Sequence, residues 1–459
     1  MANQNPVNIV GYVSFVVIFN TLPTLFLNNR YNFLRFIVFA FWAMCVMQAQ
    51  AKEGINYKGK NFWVGYLQSE VGPDPFELSL QITSDRKTTV TIKLKAAIIE
   101  ARSEKDWEQS FQVYPGSVTT IIIPKEYTTK TREGKSTHKG LYIEALDDVM
   151  VVAKNTSGSS SDATVVIPVD QLGYEYYIMQ YHVLKPQYPS QYLILATEDS
   201  TEVELINVAI SMDGGISHVP YRVKLNKGDS YMVQSKKDLT GSRVREVNGK
   251  KIAVFSGITC AYVPRYCQSC DHLYEQIPPV ENWGHEFALI PFDTRHKYVV
   301  RILAKEDDTY VDVDGQRYTI AKAGKFLELE LKEEVFYVTT SRPVMICQYT
   351  IGTRCDRQRG DPSMVMVRPL QSFNGHTELP AMNTENINRY YATVMLKQAD
   401  LDKFTINGKS IIGDYKELPY RSEFVYAYIE LESGNNVIEC DCGYNFISYG
   451  LGWYESYAY

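Results

Sequence analysis

The apolar positions of this chain fall in short runs with a period of two. Thr89-Val-Thr-Ile92, Thr201-Glu-Val-Glu-Leu205 and Thr309-Tyr-Val-Asp-Val313 alternate apolar with polar or charged residues. That is the pattern of a strand with one buried face, and the β-branched and aromatic content fits it. Other runs are apolar throughout, such as Val149-Met-Val-Val-Ala153, Ile252-Ala-Val-Phe255 and Val344-Met-Ile-Cys347. These predict a strongly apolar strand closing each copy of a repeat. Turn chemistry separates the runs. Asp314-Gly315 and Asn407-Gly408 supply the positive φ angles of a type I′ hairpin turn. No apolar period of 3.6 persists over a dozen residues; Glu100 to Trp107 offers at most one short helix or a long hairpin tip.

The runs recur in step. A proline, a few residues, a glycine and an aromatic-rich strand appear as Pro168-Val-Asp-Gln-Leu-Gly173, Pro279-Val-Glu-Asn-Trp-Gly284 and Pro369-Leu-Gln-Ser-Phe-Asn-Gly375. Gly59-Lys-Asn-Phe62 is a fainter first copy. The pattern predicts an all-β chain of four tandem β-sandwich-like repeats of about 85–115 residues, with a β-propeller-like arrangement as the alternative. The expected boundaries are 1–51 for an export segment, then 52–170, 171–281, 282–373 and 374–459 for the repeats.

Composition narrows the function. With 45% apolar residues, 34 Tyr and 19 Phe among 459, the chain has ample material for packed cores. A formal charge of -6 without a basic tract gives no nucleic-acid footprint. Arg30 and Arg35 precede the apolar run Phe36 to Met47, and Gln48-Ala49-Gln50-Ala51 follows. A basic flank, an apolar core and a small-residue site read as a signal peptide, which predicts a secreted or cell-surface protein touching membrane only through that segment. A second apolar stretch, Asn8 to Leu27, precedes it.

Seven cysteines lie beyond residue 51, and export would pair most of them. Two pairs keep the repeat phase, Cys260 with Cys270 and Cys347 with Cys355, and are the disulfide candidates. The spacing leaves the partners of Cys267, Cys440 and Cys442 open. Cys267-Gln-Ser-Cys270 with His272 allows zinc or redox readings, but zinc wants four ligands and a redox motif wants a βαβ context. Acidic pairs such as Glu198-Asp199 and Glu306-Asp307 read as solvated turns ahead of calcium sites. No nucleophile elbow, phosphate loop or zinc-protease motif stands where its mechanism needs it. We therefore expect no catalytic residues, no metal and no cofactor. Aromatic residues Tyr174, Tyr176, Tyr181, Trp283, Trp453 and Tyr454 are the candidates for a contact surface, against the plainer reading that they fill cores.

Ser256-Gly-Ile-Thr-Cys-Ala-Tyr-Val-Pro264, Cys270-Asp-His-Leu-Tyr-Glu-Gln-Ile-Pro-Pro279 and Trp283-Gly284 resemble the N-terminal domain of the IgG Fc-binding protein family. Gly59-Lys-Asn-Phe-Trp-Val-Gly65 and Ile167-Pro-Val-Asp-Gln-Leu-Gly173 are similar to the same domain. The resemblance spans roughly residues 56–459, in the manner of a bacterial, Bacteroidetes-like secreted member. It implies a non-catalytic binding or adhesion role toward a host or matrix glycoprotein, with immunoglobulin and mucin as candidates. It supplies no catalytic residues. A structural envelope or assembly module and, further back, a carbohydrate or protein hydrolase are the other readings.

Overall fold

The computed structural model describes residues 54–69, 76–94, 98–99, 102–103, 106–124, 140–157, 160–373, 375, 377–382, 384, 386–440 and 442–459. The expected export segment, residues 1–51, lies outside them. Among the described residues no helix is long and apolar enough to cross a membrane.

Burial follows the sequence pattern closely. Thr88–Leu94 and Thr201–Ile206 alternate buried and half-buried positions, whereas Ile252–Tyr262 is buried at every position. All the ladders are antiparallel, and the chain is all-β with a few short helical turns.

The first and third stretches share one plan. Each is a seven-stranded sheet around a long spine strand, Leu141–Ser157 in one and Phe336–Thr350 in the other. The first half of the Leu141–Ser157 spine pairs with Gly59–Val64 and Thr88–Leu94; its second half pairs with Phe76–Thr83 and Ser160–Val165. Gly284–Leu289, Thr309–Val313, Lys297–Ala304 and Met364–Val367 do the same on the other spine. In the second and fourth stretches the spine is cut. Arg243–Glu246 and Ile252–Tyr262 are separated by a turn through Gly249, and Gly434–Glu439 and Tyr444–Gly452 by one through Gly443, each glycine at positive φ. Either way two half-sheets close on one core, as where Val90 and Ile92 of one half meet Leu80, Ile82 and Val151 of the other. That is a sandwich-like unit.

The cores run into one another in a cycle. The first takes in Leu193, Leu195 and Phe255 from the second stretch. The second takes in Val299, Leu303 and Tyr349 from the third. The third takes in Tyr391, Tyr449 and Leu451 from the fourth, and the fourth returns to Met150, Val152 and Ala163 of the first. Sandwich-like units therefore close into a ring, which joins the two architectures that the sequence leaves open.

The recurring glycine has a packing cause. A Cβ on Gly59 would overlap Pro168, one on Gly173 would overlap Pro279, and one on Gly284 would overlap Pro369. Each opening glycine is thus pressed against the proline that opens the next stretch, and only a residue without a side chain fits there.

Candidate functional site

The last strand of each stretch faces inward. Ser160–Val165, Cys270–Gln276, Met364–Val367 and Ser456–Ala458 touch one another around the ring. Polar side chains tie them together. Tyr274 N donates to Asp162 Oδ2 at 2.8 Å and Gln276 N to Thr164 Oγ1 at 3.0 Å. Ser160 Oγ donates to Asp271, Ser161 Oγ to Glu455, and Ser456 Oγ to the Asp361 carbonyl.

The hairpin tips that lead into these strands are locked as firmly. Cys267, in the tip before Cys270–Gln276, is bonded to Cys355 in the tip before Met364–Val367, with Cα atoms 5.7 Å apart. Gly352 N donates to Val263 O at 2.8 Å across the same junction, and Gly360 N donates to Gly452 O at 2.8 Å at the next one. From beneath, the fully buried Arg295 pairs with Asp356 at 2.9 Å and donates to the carbonyls of Ile351 and Arg359. A second disulfide, Cys260–Cys270, spans the base of its own hairpin. On the chain-entropy model, the bond closing 88 residues contributes about 4–5 kcal/mol and the one closing 10 about 3 kcal/mol.

These tips sort their charges. In segments 263–271, 351–363 and 453–455 the acids are Asp271, Asp356, Asp361 and Glu455, and all four side chains are buried. The arginines of the same segments go the other way. Arg265, Arg354 and Arg357 are exposed and Arg359 is half-buried. Burial pushes the Asp271 carboxyl well above its ordinary range, helped by the charge of Asp361, while the Ser160 hydrogen bond acts against the rise. Burial likewise raises Asp361 and Glu455. Asp356 is matched by Arg295. Burial thus disfavours the charged form of Asp271, Asp361 and Glu455, which lie beneath the outer arginines.

Aromatic side chains share this surface. Tyr266 is 64% exposed, Trp453 58% and Tyr454 49%. The Arg359 guanidinium lies 5.2 Å from the centre of the Trp453 ring, near enough for cation–π attraction. Its Nη1 also donates to Asn388 Oδ1 at 3.2 Å. The Tyr266 hydroxyl donates to Glu330, which Lys297 neutralises at 2.9 Å. Arginine, tryptophan and tyrosine on one rigid surface is the composition that carries affinity in protein interfaces.

Of the sequence-predicted aromatics, Trp453 and Tyr454 sit on this face, and Tyr174 is exposed elsewhere, in the second stretch. Tyr176 and Tyr181 are core residues, and their expected place on a contact surface is corrected. The Tyr176 hydroxyl is used up inside, donating to Ile252 O at 2.6 Å and accepting from Gly173 N at 2.8 Å. Tyr181 lies under the buried guanidinium of Arg301, 4.5 Å from the ring centre, and against Tyr349. Trp283 is 8% exposed and lines a cleft with Tyr57, Phe287, Met345, Met366 and Arg368.

The cysteines need a correction too. Cys355 pairs with Cys267, not with Cys347, which is a buried thiol. The reason is register. Cys347 stands opposite Met366 in mid-ladder, in the core, while the long loop 351–363 carries Cys355 out to the neighbouring tip. Cys440 pairs with Cys442. Cys267 and Cys270 are both engaged in disulfides, so neither is offered as a thiolate ligand. His272 is buried on the ring of Tyr274, and burial pushes its pKa down to about 3 although the Gln68 backbone pulls the other way. Sequence reasoning missed the arginines. The density of Thr353-Arg-Cys-Asp-Arg-Gln-Arg359 directly after a closing strand was the available signal.

Fold and site together define a disulfide-stapled, all-β protein that holds a rigid basic and aromatic surface. The chain belongs to the IgGFc binding protein family, whose sequence model matches residues 162–450. It is similar to the human IgGFc-binding protein, at 21% identity over 323 residues. That alignment covers 68% of this chain and 6% of the human protein's length. The family match takes in the tips at 263–271 and 351–363 and stops short of Trp453 and Tyr454.

Proposed function

We propose that this chain is a non-catalytic binding protein, working outside the cytoplasm, whose hairpin-tip face takes an acidic protein or glycoprotein. Immunoglobulin and mucin are the candidate ligands. One observation carries the reading: at the tips the acids are buried and the arginines face outward, on a chain whose net charge is -6. A surface with that local sign on an acidic molecule steers an anionic partner to one place. Two disulfides at the tips support the extracytoplasmic setting. The human relative's name supports immunoglobulin as a ligand to test first.

The test is surface plasmon resonance of the full chain against immobilised immunoglobulin G and sialylated mucin. Binding to at least one is expected, and it should weaken on raising the salt, since exposed charges are screened. A variant carrying Arg265→Glu, Arg354→Glu and Arg357→Glu should lose at least tenfold in affinity while keeping the parent's melting temperature. Absence of binding to both ligands, or full binding by the triple variant, overturns the reading.

A further inference from the structure

The loop between Thr201–Ile206 and Tyr221–Leu225 reverses the usual surface rule. Its exposed side chains include Ile210 at 68%, Met212 at 45%, Ile216 at 63% and Val219 at 48%. Ala209 and Ser211 are buried and Asp213, Gly215 and Ser217 are half-buried, while Gly214, His218 and Pro220 are exposed with the aliphatic residues. Along 209–217 the alternation turns Ser211, Asp213 and Ser217 toward the protein and Ile210, Met212 and Ile216 toward water.

Hydrogen bonds hold the loop in this orientation. Met212 N donates to Gln234 O at 2.8 Å, Ser211 N to Gly215 O at 3.0 Å, and His218 N to Asn207 O at 2.7 Å. Ser217 Oγ donates to Val208 O at 2.8 Å. Asp213 receives the Tyr231 hydroxyl at 2.6 Å, the Ser211 hydroxyl, and Gly215 N at 3.3 Å. The aliphatic side chains cannot fold back without breaking this set. Exposed aliphatic residues normally relax inward or are covered, so a pinned display of four of them marks a contact surface.

The neighbours identify the occupant. Ser235 Oγ donates to Ile210 O, and the exposed Lys236 and Lys237 follow directly. Ser190 Oγ donates to Lys237 O at 2.6 Å, which brings up the loop carrying the exposed Leu184 and Lys185. Protein interfaces concentrate aromatic residues, methionine and arginine at their centre and are depleted in lysine. Apart from Met212, this surface has a different make-up: isoleucine, valine and leucine beside lysines, with no aromatic residue or arginine among those named. Aliphatic side chains that enter the acyl boundary, with lysines at the headgroup level, are what an anionic bilayer surface accepts.

We propose that loop 207–220, with Leu184 and Lys185 beside it, is a lipid-surface contact that inserts Ile210, Met212 and Ile216 into the interface of an anionic bilayer. The tip face is a separate surface and the two can fail independently. The test is flotation of the full chain with vesicles of phosphatidylcholine alone, and with vesicles in which roughly one lipid in three is phosphatidylglycerol. The bound fraction should be at least tenfold greater on the anionic vesicles. It should fall at least tenfold in a variant with Ile210→Asp, Met212→Asp and Ile216→Asp, and several-fold with Lys236→Glu and Lys237→Glu. A single Ile216→Trp change gives a second readout: its emission should shift to the blue on anionic vesicles and be quenched by brominated acyl chains. No parent binding to either vesicle overturns the proposal, as does unchanged binding by the triple aspartate variant. Self-association of the parent in sedimentation equilibrium, removed by the same triple change, also overturns it and assigns the surface to a second copy of the chain.

Discussion

The hairpin-tip face and loop 207–220 are both rigid and both exposed, yet they are built from opposite materials. The tips display arginine, tryptophan and tyrosine over a layer of buried acids. The loop displays isoleucine, methionine and valine over a single half-buried aspartate. Their supports differ in kind as well. The tips are held by two disulfides and a buried ion pair; the loop is held by local hydrogen bonds converging on Asp213 and Asn207. The contrast teaches that stiffness does not say what a surface binds. It sharpens whatever chemistry the outward side chains carry, because less freedom is lost on contact.

The largest effect should come from the support of the tips. Arg295→Met leaves Asp356 buried without its partner and frees the carbonyls of Ile351 and Arg359. A loss of about 3–5 kcal/mol is expected in urea unfolding, since removing one member of a buried pair strands the other. A loss under about 1 kcal/mol would mean that the disulfides alone hold the tips.

Acid should act on the layer beneath the tips. Burial holds the folded pKa of His272 at about 3, so an unfolding chain takes up a proton that the folded one refuses. The sign follows directly. Stability falls as pH drops from the unfolded value near 6.5 toward 3, by about 1.4 kcal/mol per unit. Asp271 and Asp162, whose carboxyls burial raises, run the opposite way. Removing the histidine with His272→Phe should therefore flatten the acid side of the stability profile, as read by thermal melts from pH 7 to pH 4. An unchanged slope would show that His272 is not the acid-labile group.

The smallest effect should come from the support of the loop. Asp213→Ala strips the Tyr231 hydroxyl, the Ser211 hydroxyl and Gly215 N of their acceptor, at an expected cost of about 1–2 kcal/mol. Amide exchange should quicken in residues 208–219 and stay unchanged in the tips. Equal quickening in both places would break the comparison, because it would make the two surfaces one cooperative unit.

Much of the frame was legible in the sequence. Alternating runs such as Thr201-Glu-Val-Glu-Leu205 gave strands of one-sided burial, and the phased prolines and glycines gave the repeat. The signature looked local, however, and proved to be a contact between neighbouring stretches, with Gly173 on Pro279. The same shift from local to neighbouring explains the cysteines. Phase put Cys347 with Cys355, whereas the longer third tip carries Cys355 across to Cys267. Charge sorting could not be read at all. Asp356 and Arg357 are adjacent in the chain, and only the fold turns one inward onto Arg295 and the other outward. Nor does composition separate Tyr176 in the core from Tyr454 on the surface.

The sorted tips are best tested on whichever of immunoglobulin G and sialylated mucin the parent binds, with three proteins side by side: the parent, the variant with Arg265, Arg354 and Arg357 each changed to Glu, and the variant with Ile210, Met212 and Ile216 each changed to Asp. The arginine variant should lose at least tenfold in affinity together with its salt dependence, while the loop variant should match the parent. If the arginine variant binds like the parent, or if both variants weaken alike, outward arginines over buried acids are not what holds the ligand.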